Sequence, residues 1–177
     1  WMAGRLVCWF KTCFRPSTVI TTAPSQNQVQ NQLWREIATA YQGAKIPLGG
    51  NLTSLQWDMR LPDKVLATLN PSDREMFSKD FAIGFSTSPD SATEHATKMQ
   101  GWHNQWLLVI LDEASGIMPQ IWRTVLEGLV VNERCKVLAI GNPTDPESEF
   151  ADVCRLNGKL SHLETSSEPY TSDQGWH

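Results

Sequence analysis

The stretch Trp106-Leu107-Leu108-Val109-Ile110-Leu111-Asp112-Glu113-Ala114 joins five consecutive apolar residues to two adjacent carboxylates. An apolar run of this kind is typical of a parallel strand whose two faces are both covered by helices. Open α/β sheets bind their ligands beyond the carboxyl ends of such strands. The stretch therefore predicts a buried strand that brings Asp112 and Glu113 to the ligand-binding edge of a sheet.

These two carboxylates allow two interpretations. An apolar strand that ends in Asp-Glu is typical of the Walker B motif of nucleotide-hydrolysing ATPases. In that motif Asp112 would hold a metal ion through its water shell, and Glu113 would orient and polarise the attacking water. The alternative is an ordinary strand that runs into the N-cap of a helix.

Length and composition favour one folded domain over residues 1–177. The 177 residues are 41% hydrophobic and 19% charged, which argues against wholesale disorder. A net charge of −4 argues against a generally basic nucleic-acid-binding protein, although it permits a local basic groove. No apolar run approaches the ~20 residues of a membrane span, so no membrane partner is expected. The four cysteines form no C-x-x-C pair, and free thiols in a reducing cytosol are expected.

Helix and strand patterns alternate along the chain. Periodicity and capping signals predict helices over residues 2–14, 26–41 and 148–155 and one that starts at Pro119. Apolar or β-branched runs predict strands over residues 18–22, 80–86, 106–111, 136–140 and 160–163. Residues 43–80 are expected to form an insertion with short strands or a short helix, and residues 86–102 a surface loop. The alternation predicts an α/β fold with a mostly parallel sheet flanked by helices.

The predicted strand over residues 136–140 also ends in a polar tip, Gly141-Asn142-Pro143. Since parallel strands end at the same edge, this tip is expected to meet the two carboxylates on one ligand. Asn142 offers an amide to a γ-phosphate or to the attacking water, Gly141 permits close backbone approach, and Pro143 fixes the exit direction. The alternative is an ordinary turn, because Gly-Asn-Pro suits a turn equally well.

The predicted strand over residues 18–22 runs into a polar turn and a helix start. The hydroxyls of Thr21 and Thr22 and the N–H groups of the helix start are suited to an anion, which in a DNA-binding protein is a backbone phosphate. The alternative is a plain strand, turn and capped helix.

Four blocks of sequence follow one another across most of the chain, about residues 5–170. They are VITTAPSQNQVQNQLWREI, GFSTSPD followed by QGWH, LLVILDEASGI, and VLAIGNPTDPESEF. In order and spacing this succession resembles the ATPase domain of the large terminase subunit of tailed bacteriophages and prophages. By position, Asp112 resembles the Walker B aspartate and Glu113 the catalytic glutamate. Gly141-Asn142-Pro143 resembles the motif that couples hydrolysis to DNA movement, and Thr21 and Thr22 resemble a helicase-like segment that contacts DNA or assists coupling.

This resemblance implies a P-loop NTPase-type, helicase-like fold that couples hydrolysis of Mg-ATP to translocation of double-stranded DNA into a procapsid. It implies Mg²⁺ and ATP at the site. The implied partners are double-stranded DNA, the portal protein and the small terminase subunit, with a homo-oligomeric ring in the full protein. The implied location is the cytoplasm of the bacterial host and not the mature virion. The alternatives are another helicase-like P-loop ATPase and a non-catalytic remnant that binds DNA or portal.

The chain departs from the family at the phosphate-binding loop. A P-loop reads G-x-x-x-x-G-K-[ST], and the sequence contains no such motif. Lys11-Thr12 is the nearest pair, but Phe10 and not glycine directly precedes it, and it lies in an apolar, helix-like segment. The expectation is an N-terminally truncated ATPase domain that begins just after the P-loop and lacks the downstream nuclease domain. Its missing strand is expected to leave an uncovered sheet edge or a gap. Alone, it is expected to bind ATP weakly and to be inactive, because the triphosphate loses its main positive cradle.

Overall fold

A mixed six-stranded sheet runs through the part of the chain that the structure, a computed structural model, describes: residues 2–88, 92–102, 104–130, 134–142 and 144–154. Its strands are β1 (Ser17–Ala23), β2 (Asn51–Leu52), β3 (Gln56–Asp58), β4 (Phe81–Ser86), β5 (Trp106–Asp112) and β6 (Cys135–Ile140). Their order across the sheet is β2-β3-β4-β1-β5-β6. The last four strands in that order are mutually parallel. β3 is antiparallel to β4, and β2 is antiparallel to β3. The predicted α/β fold with a mostly parallel sheet is confirmed.

Helices cover both faces of this sheet. They are α1 (Met2–Cys13), a π-helical segment (Gln28–Trp34) that continues as α2 (Arg35–Gln42), α3 (Asp63–Leu66), α4 (Pro71–Ser78), α5 (Ala92–Gln100), α6 (Pro119–Arg123) with a π-helical continuation (Thr124–Leu129), and α7 (Glu149–Cys154). α1 and α2 pack on one face, and α5 and α6 pack on the other. None of the helices in the described ranges is long and apolar enough to cross a membrane.

The apolar run of β5 is buried on both faces, as its sequence predicted. Its five residues, 107–111, are each at most 3% exposed. Leu108 and Ile110 pack with the core under α1 and α2, whereas Leu107, Val109 and Leu111 pack with the core under α5 and α6. Alternate residues of a strand point to opposite faces, so β5 joins the two cores.

The prediction of a surface loop over residues 86–102 is wrong, because α5 occupies much of it. Met99 is fully buried in this helix and Ala96 is 8% exposed, so a narrow apolar stripe packs on the sheet. The polar composition of the segment concealed this stripe. The predicted strand over residues 160–163 lies outside the described residues.

A buried ionic cluster fixes α1 to the amino ends of β1 and β4. Lys11 and Asp80 are both fully buried and hydrogen bonded to each other. Lys11 also donates to the carbonyl of Ser17 over 2.7 Å, and Arg15 Nε donates to Asp80 over 2.8 Å. Burial lowers the pKa of Lys11 to about 8, with the Asp80 carboxylate opposing that shift. The ammonium of Lys11 is thus hydrogen bonded at the edge of the sheet where β1 and β4 begin, and not at the carboxyl ends of the parallel strands.

β6 lies at an edge of the sheet and, within the described residues, pairs only with β5. Its last four residues, 137–140, are apolar and only partly buried. An edge strand of this composition is open to the addition of another strand. β2 forms the other edge, so β6 as an edge strand does not test the expectation that a missing strand leaves the sheet uncovered, which stays a prediction.

Gly84 in β4 makes room for the indole of Trp34, which is 2% exposed and donates to the Thr21 hydroxyl over 2.8 Å. A Cβ at Gly84 would lie 2.0 Å from Trp34 Nε1. We therefore expect Gly84→Ala to lower the free energy of unfolding by about 2–4 kcal/mol, through overpacking and loss of a buried hydrogen bond. Urea denaturation measures the change.

Gly128→Ala is the matched control for this substitution. Apart from its own helix, no atom of the described residues lies within 4 Å of a Cβ at this helical glycine, so alanine is expected to be neutral or to stabilise by up to about 1 kcal/mol. Equal stability of the two variants would contradict the packing described for Trp34.

Candidate functional site

The tips of β5 and β6 lie side by side at the carboxyl edge of the sheet. Asp112 is paired with Ile140 in the parallel register, so the next residues of both strands leave the sheet together. The structure therefore brings the backbone at Asp112 and Glu113 next to the backbone at Gly141 and Asn142, whereas the convergence of these residues on one ligand stays a prediction. Pro143 lies outside the described residues.

Close backbone contact and one hydrogen bond join these two tips. A Cβ at Gly141 would lie 2.8 Å from the backbone nitrogen of Ala114, so any larger residue would push the tips apart. The hydroxyl of Ser115 donates to the backbone carbonyl of Asn142. Sequence reasoning anticipated the close approach at Gly141 but missed Ser115. The available signal was the run of small residues Ala-Ser-Gly directly after the carboxylates.

The exit of β1 reaches the same cluster of tips. A Cβ at Gly116 would lie 2.6 Å from Cγ of Pro24, so the turn after β5 also packs against the segment that leaves β1. Three successive parallel strands of the sheet, β1, β5 and β6, thus end in mutual contact. This arrangement is typical of the ligand-binding edge of open α/β folds.

Thr21 and Thr22 have a different role from the one expected of exposed hydroxyls. Both residues are fully buried. The Thr21 hydroxyl donates to the carbonyl of Ile83 over 3.1 Å, and the Thr22 hydroxyl donates to the carbonyl of Phe85 over 2.8 Å. These bonds hold β1 to β4, and burial does not fit a direct contact of either hydroxyl with DNA. A role of this strand in coupling stays a prediction.

Glu113 adopts a left-handed backbone conformation, with φ 51° and ψ 50°. It is the one non-glycine residue of the described ranges with positive φ. This conformation costs an ordinary side chain about 1–2 kcal/mol, and such strain concentrates at functional sites. Glu113 is also exposed, so its carboxylate is accessible to water at the point where the chain turns out of the sheet.

Asp112 lies in a drier environment than its neighbour. Its side chain is partly buried, and burial raises the pKa of the Asp112 carboxyl. The backbone N–H of Glu113 donates to Asp112 Oδ1 over 3.2 Å and partly opposes that rise. Two adjacent carboxylates therefore occupy different environments, which suits a division of roles between them.

A cleft of about 670 Å³ opens beside Asp112. Its walls are the first residues of α1, the π-helical segment with α2, and the ends of β5 and β6. The volume falls in the range of small-molecule sites. Arg35 is the one cation among the described lining residues, against the carboxylates of Glu36 and Asp112. The cleft has the size of a nucleotide site, but it does not have the positive charge that a triphosphate requires.

The described side chains around Asp112 do not form a metal site made of several protein ligands, but Asp112 fits magnesium that is bound together with a nucleotide. Within the described ranges, no group of three or more His, Cys, Asp or Glu side chains is arranged to hold a metal ion. Magnesium bound with a nucleotide commonly takes one or two carboxylates and fills its remaining positions with water and phosphate oxygens. Asp112 fits that mode, in which the nucleotide supplies part of the coordination.

Comparison of the chain with protein-family models, curated proteins and solved structures finds no match. The function is therefore inferred from the strand tips, the cleft and the sequence blocks around them.

Removing the charge of Asp112 is expected to stabilise the fold. A carboxyl whose pKa is raised by folding binds its proton more tightly in the folded state, so its contribution to stability falls as pH rises through that pKa. Asp112→Asn should therefore have a higher urea midpoint than the parent at pH 7, and a smaller advantage at pH 4.

Glu75→Gln is the control with the opposite sign. Lys79 lowers the pKa of Glu75 through a hydrogen bond of 2.9 Å, so removing that charge should not stabilise the chain at neutral pH. If Asp112→Asn is less stable than the parent at pH 7, the carboxylate serves the fold and not a function.

Proposed function

We propose that this chain forms part of the ATPase motor domain of a phage large terminase, with the nucleotide bound at the tips of β5 and β6. The observation that carries the proposal is the contact of the Asp112-Glu113 tip with the Gly141-Asn142 tip beside a cleft of nucleotide size. Under this proposal, the whole protein couples hydrolysis of Mg-ATP to movement of double-stranded DNA into a procapsid.

The different environments of the two carboxylates support two roles. Asp112, which lines the cleft, would hold Mg²⁺ through water. Glu113, exposed at the strained turn, would accept a hydrogen bond from the attacking water and orient it towards the γ-phosphate. The metal supplies charge neutralisation on the transferred phosphoryl group.

Asn142 is exposed and adjacent to this turn, which supports a role in sensing the γ-phosphate. Loss of that phosphate on hydrolysis would free the β6 tip, and movement of the tip would be passed to the DNA. We propose the portal protein, the small terminase subunit and neighbouring copies in a ring as the partners of this motor.

The charge of the cleft limits what the described residues can do alone. Arg35 and the partial positive charge at the start of α1 are the favourable features for a phosphate group. They do not replace a loop of N–H donors and a lysine. Hydrolysis is therefore proposed for this segment in combination with a P-loop.

The low positive charge of the cleft, with Arg35 as the one cation among its described lining residues, favours a second candidate, a non-catalytic remnant that binds DNA or portal. The two candidates differ in what they require of Glu113. The motor requires its carboxylate, whereas a binding remnant tolerates an amide of the same shape.

The test is Glu113→Gln in the protein encoded by the whole reading frame. We expect kcat for ATP to fall by about 10²–10⁴-fold, the usual contribution of a positioned acid or base, with Mg-ATP binding retained. Glu127→Gln, at an exposed glutamate of the helix that follows α6, should leave kcat unchanged.

Hydrolysis by Glu113→Gln at the parent rate would overturn the assignment of Glu113, and unimpaired DNA packaging by that variant would favour the remnant. Absence of ATP hydrolysis by the parent protein would overturn the motor proposal itself.

A further inference from the structure

We infer that Ser115 is a positioning residue that keeps the Asn142 segment aligned with Glu113. This inference rests on the proposed ATPase function, since the alignment matters only if both tips act on one nucleotide. Ser115 is not assigned a contact with substrate or metal. Its hydroxyl acts through the backbone of the neighbouring tip.

The turn that carries Ser115 is fixed at both ends. After the left-handed residue Glu113 the chain forms a single 3₁₀ turn, Ala114–Gly116. At one end, the indole N–H of Trp122 donates to the carbonyl of Ala114 over 3.3 Å. At the other end, Gly116 packs against the ring of Pro24. The middle residue, Ser115, therefore lies in a turn that is held in place at both ends.

The acceptor of the Ser115 hydroxyl is a backbone carbonyl two residues beyond the end of β6. The carbonyl of Asn142 accepts from Ser115 and from the backbone N–H of Thr144, the latter over 2.8 Å. The second bond is local and does not tie the segment to the sheet. Ser115 thus connects the β6 tip to the turn that is fixed on α6 and on the β1 exit.

This link is placed to affect catalysis more than stability. Asn142 is exposed and Ser115 only partly buried, so water can replace the lost hydroxyl at little cost in folding free energy. The position of the Asn142 amide relative to Glu113 would nevertheless loosen, and a displacement of about 1 Å at a reacting site can cost 10²-fold in rate. Substrate binding by the opposite wall of the cleft would not change.

The experiment compares Ser115→Ala, Ser115→Thr and Ser78→Ala in the protein encoded by the whole reading frame. Ser78 is the matched control, because its hydroxyl donates to the carbonyl of Glu75 over 2.7 Å on α4, at the opposite edge of the fold. Ser115→Ala should lower kcat for ATP about tenfold with KM unchanged. Ser115→Thr, which keeps the hydroxyl, should restore kcat, and Ser78→Ala should match the parent.

A second measurement distinguishes positioning from a general loss of structure. Amide hydrogen exchange at Thr144 should become faster in Ser115→Ala, with the unfolding midpoint unchanged. A parent-like kcat in Ser115→Ala, or a fall in kcat that follows a fall in the unfolding midpoint, would overturn the inference while leaving the proposed ATPase intact. A parent protein without ATPase activity would overturn both, and that result is recognised before any variant is made.

Discussion

Parallel pairing of β5 with β1 on one side and with β6 on the other is the constraint on which the candidate site depends. It sets Leu111 between Thr22 and Ala139, so that three strands leave the sheet at one level. A shift of β6 by one residue would turn its side chains to the wrong faces and would move Gly141 away from Ala114. The site is therefore a consequence of strand register, and the turns only complete it.

Small residues and one strained backbone conformation allow the ends of these strands to pack closely together. Glycines at positions 116 and 141 allow contacts that a Cβ would prevent, and Glu113 bends the chain through a left-handed conformation. The neighbouring Asp112 is partly buried without a cation among its hydrogen-bond partners in the described ranges. The strained backbone of Glu113 and the partial burial of Asp112 are features that concentrate at functional sites, and they support the candidate site.

The sequence was most informative where one physical signal dominated. The apolar run of β5, the helix start at Pro119 and the polar ends of β5 and β6 were all predicted correctly in type and place. α5 was missed because only Ala96 and Met99 form its buried stripe in a polar segment. The Lys11–Asp80 ion pair joins residues 69 positions apart, and no local sequence pattern predicts such a contact. The partners of Ser115 and of the buried hydroxyls of β1 could not be predicted for the same reason, since they are set by the tertiary fold.

The central claim is that the tips of β5 and β6 form one metal–nucleotide site, and paramagnetic relaxation tests it most directly. Mn²⁺, which replaces Mg²⁺ in oxygen-ligand sites, broadens the amide signals of residues near it. For the protein encoded by the whole reading frame in millimolar Mn²⁺-ATP, the account predicts that the amides of Asp112, Glu113 and Asn142 broaden together, and that Asp112→Asn abolishes the effect. Sharp signals at both tips, or broadening that persists in Asp112→Asn, would contradict it.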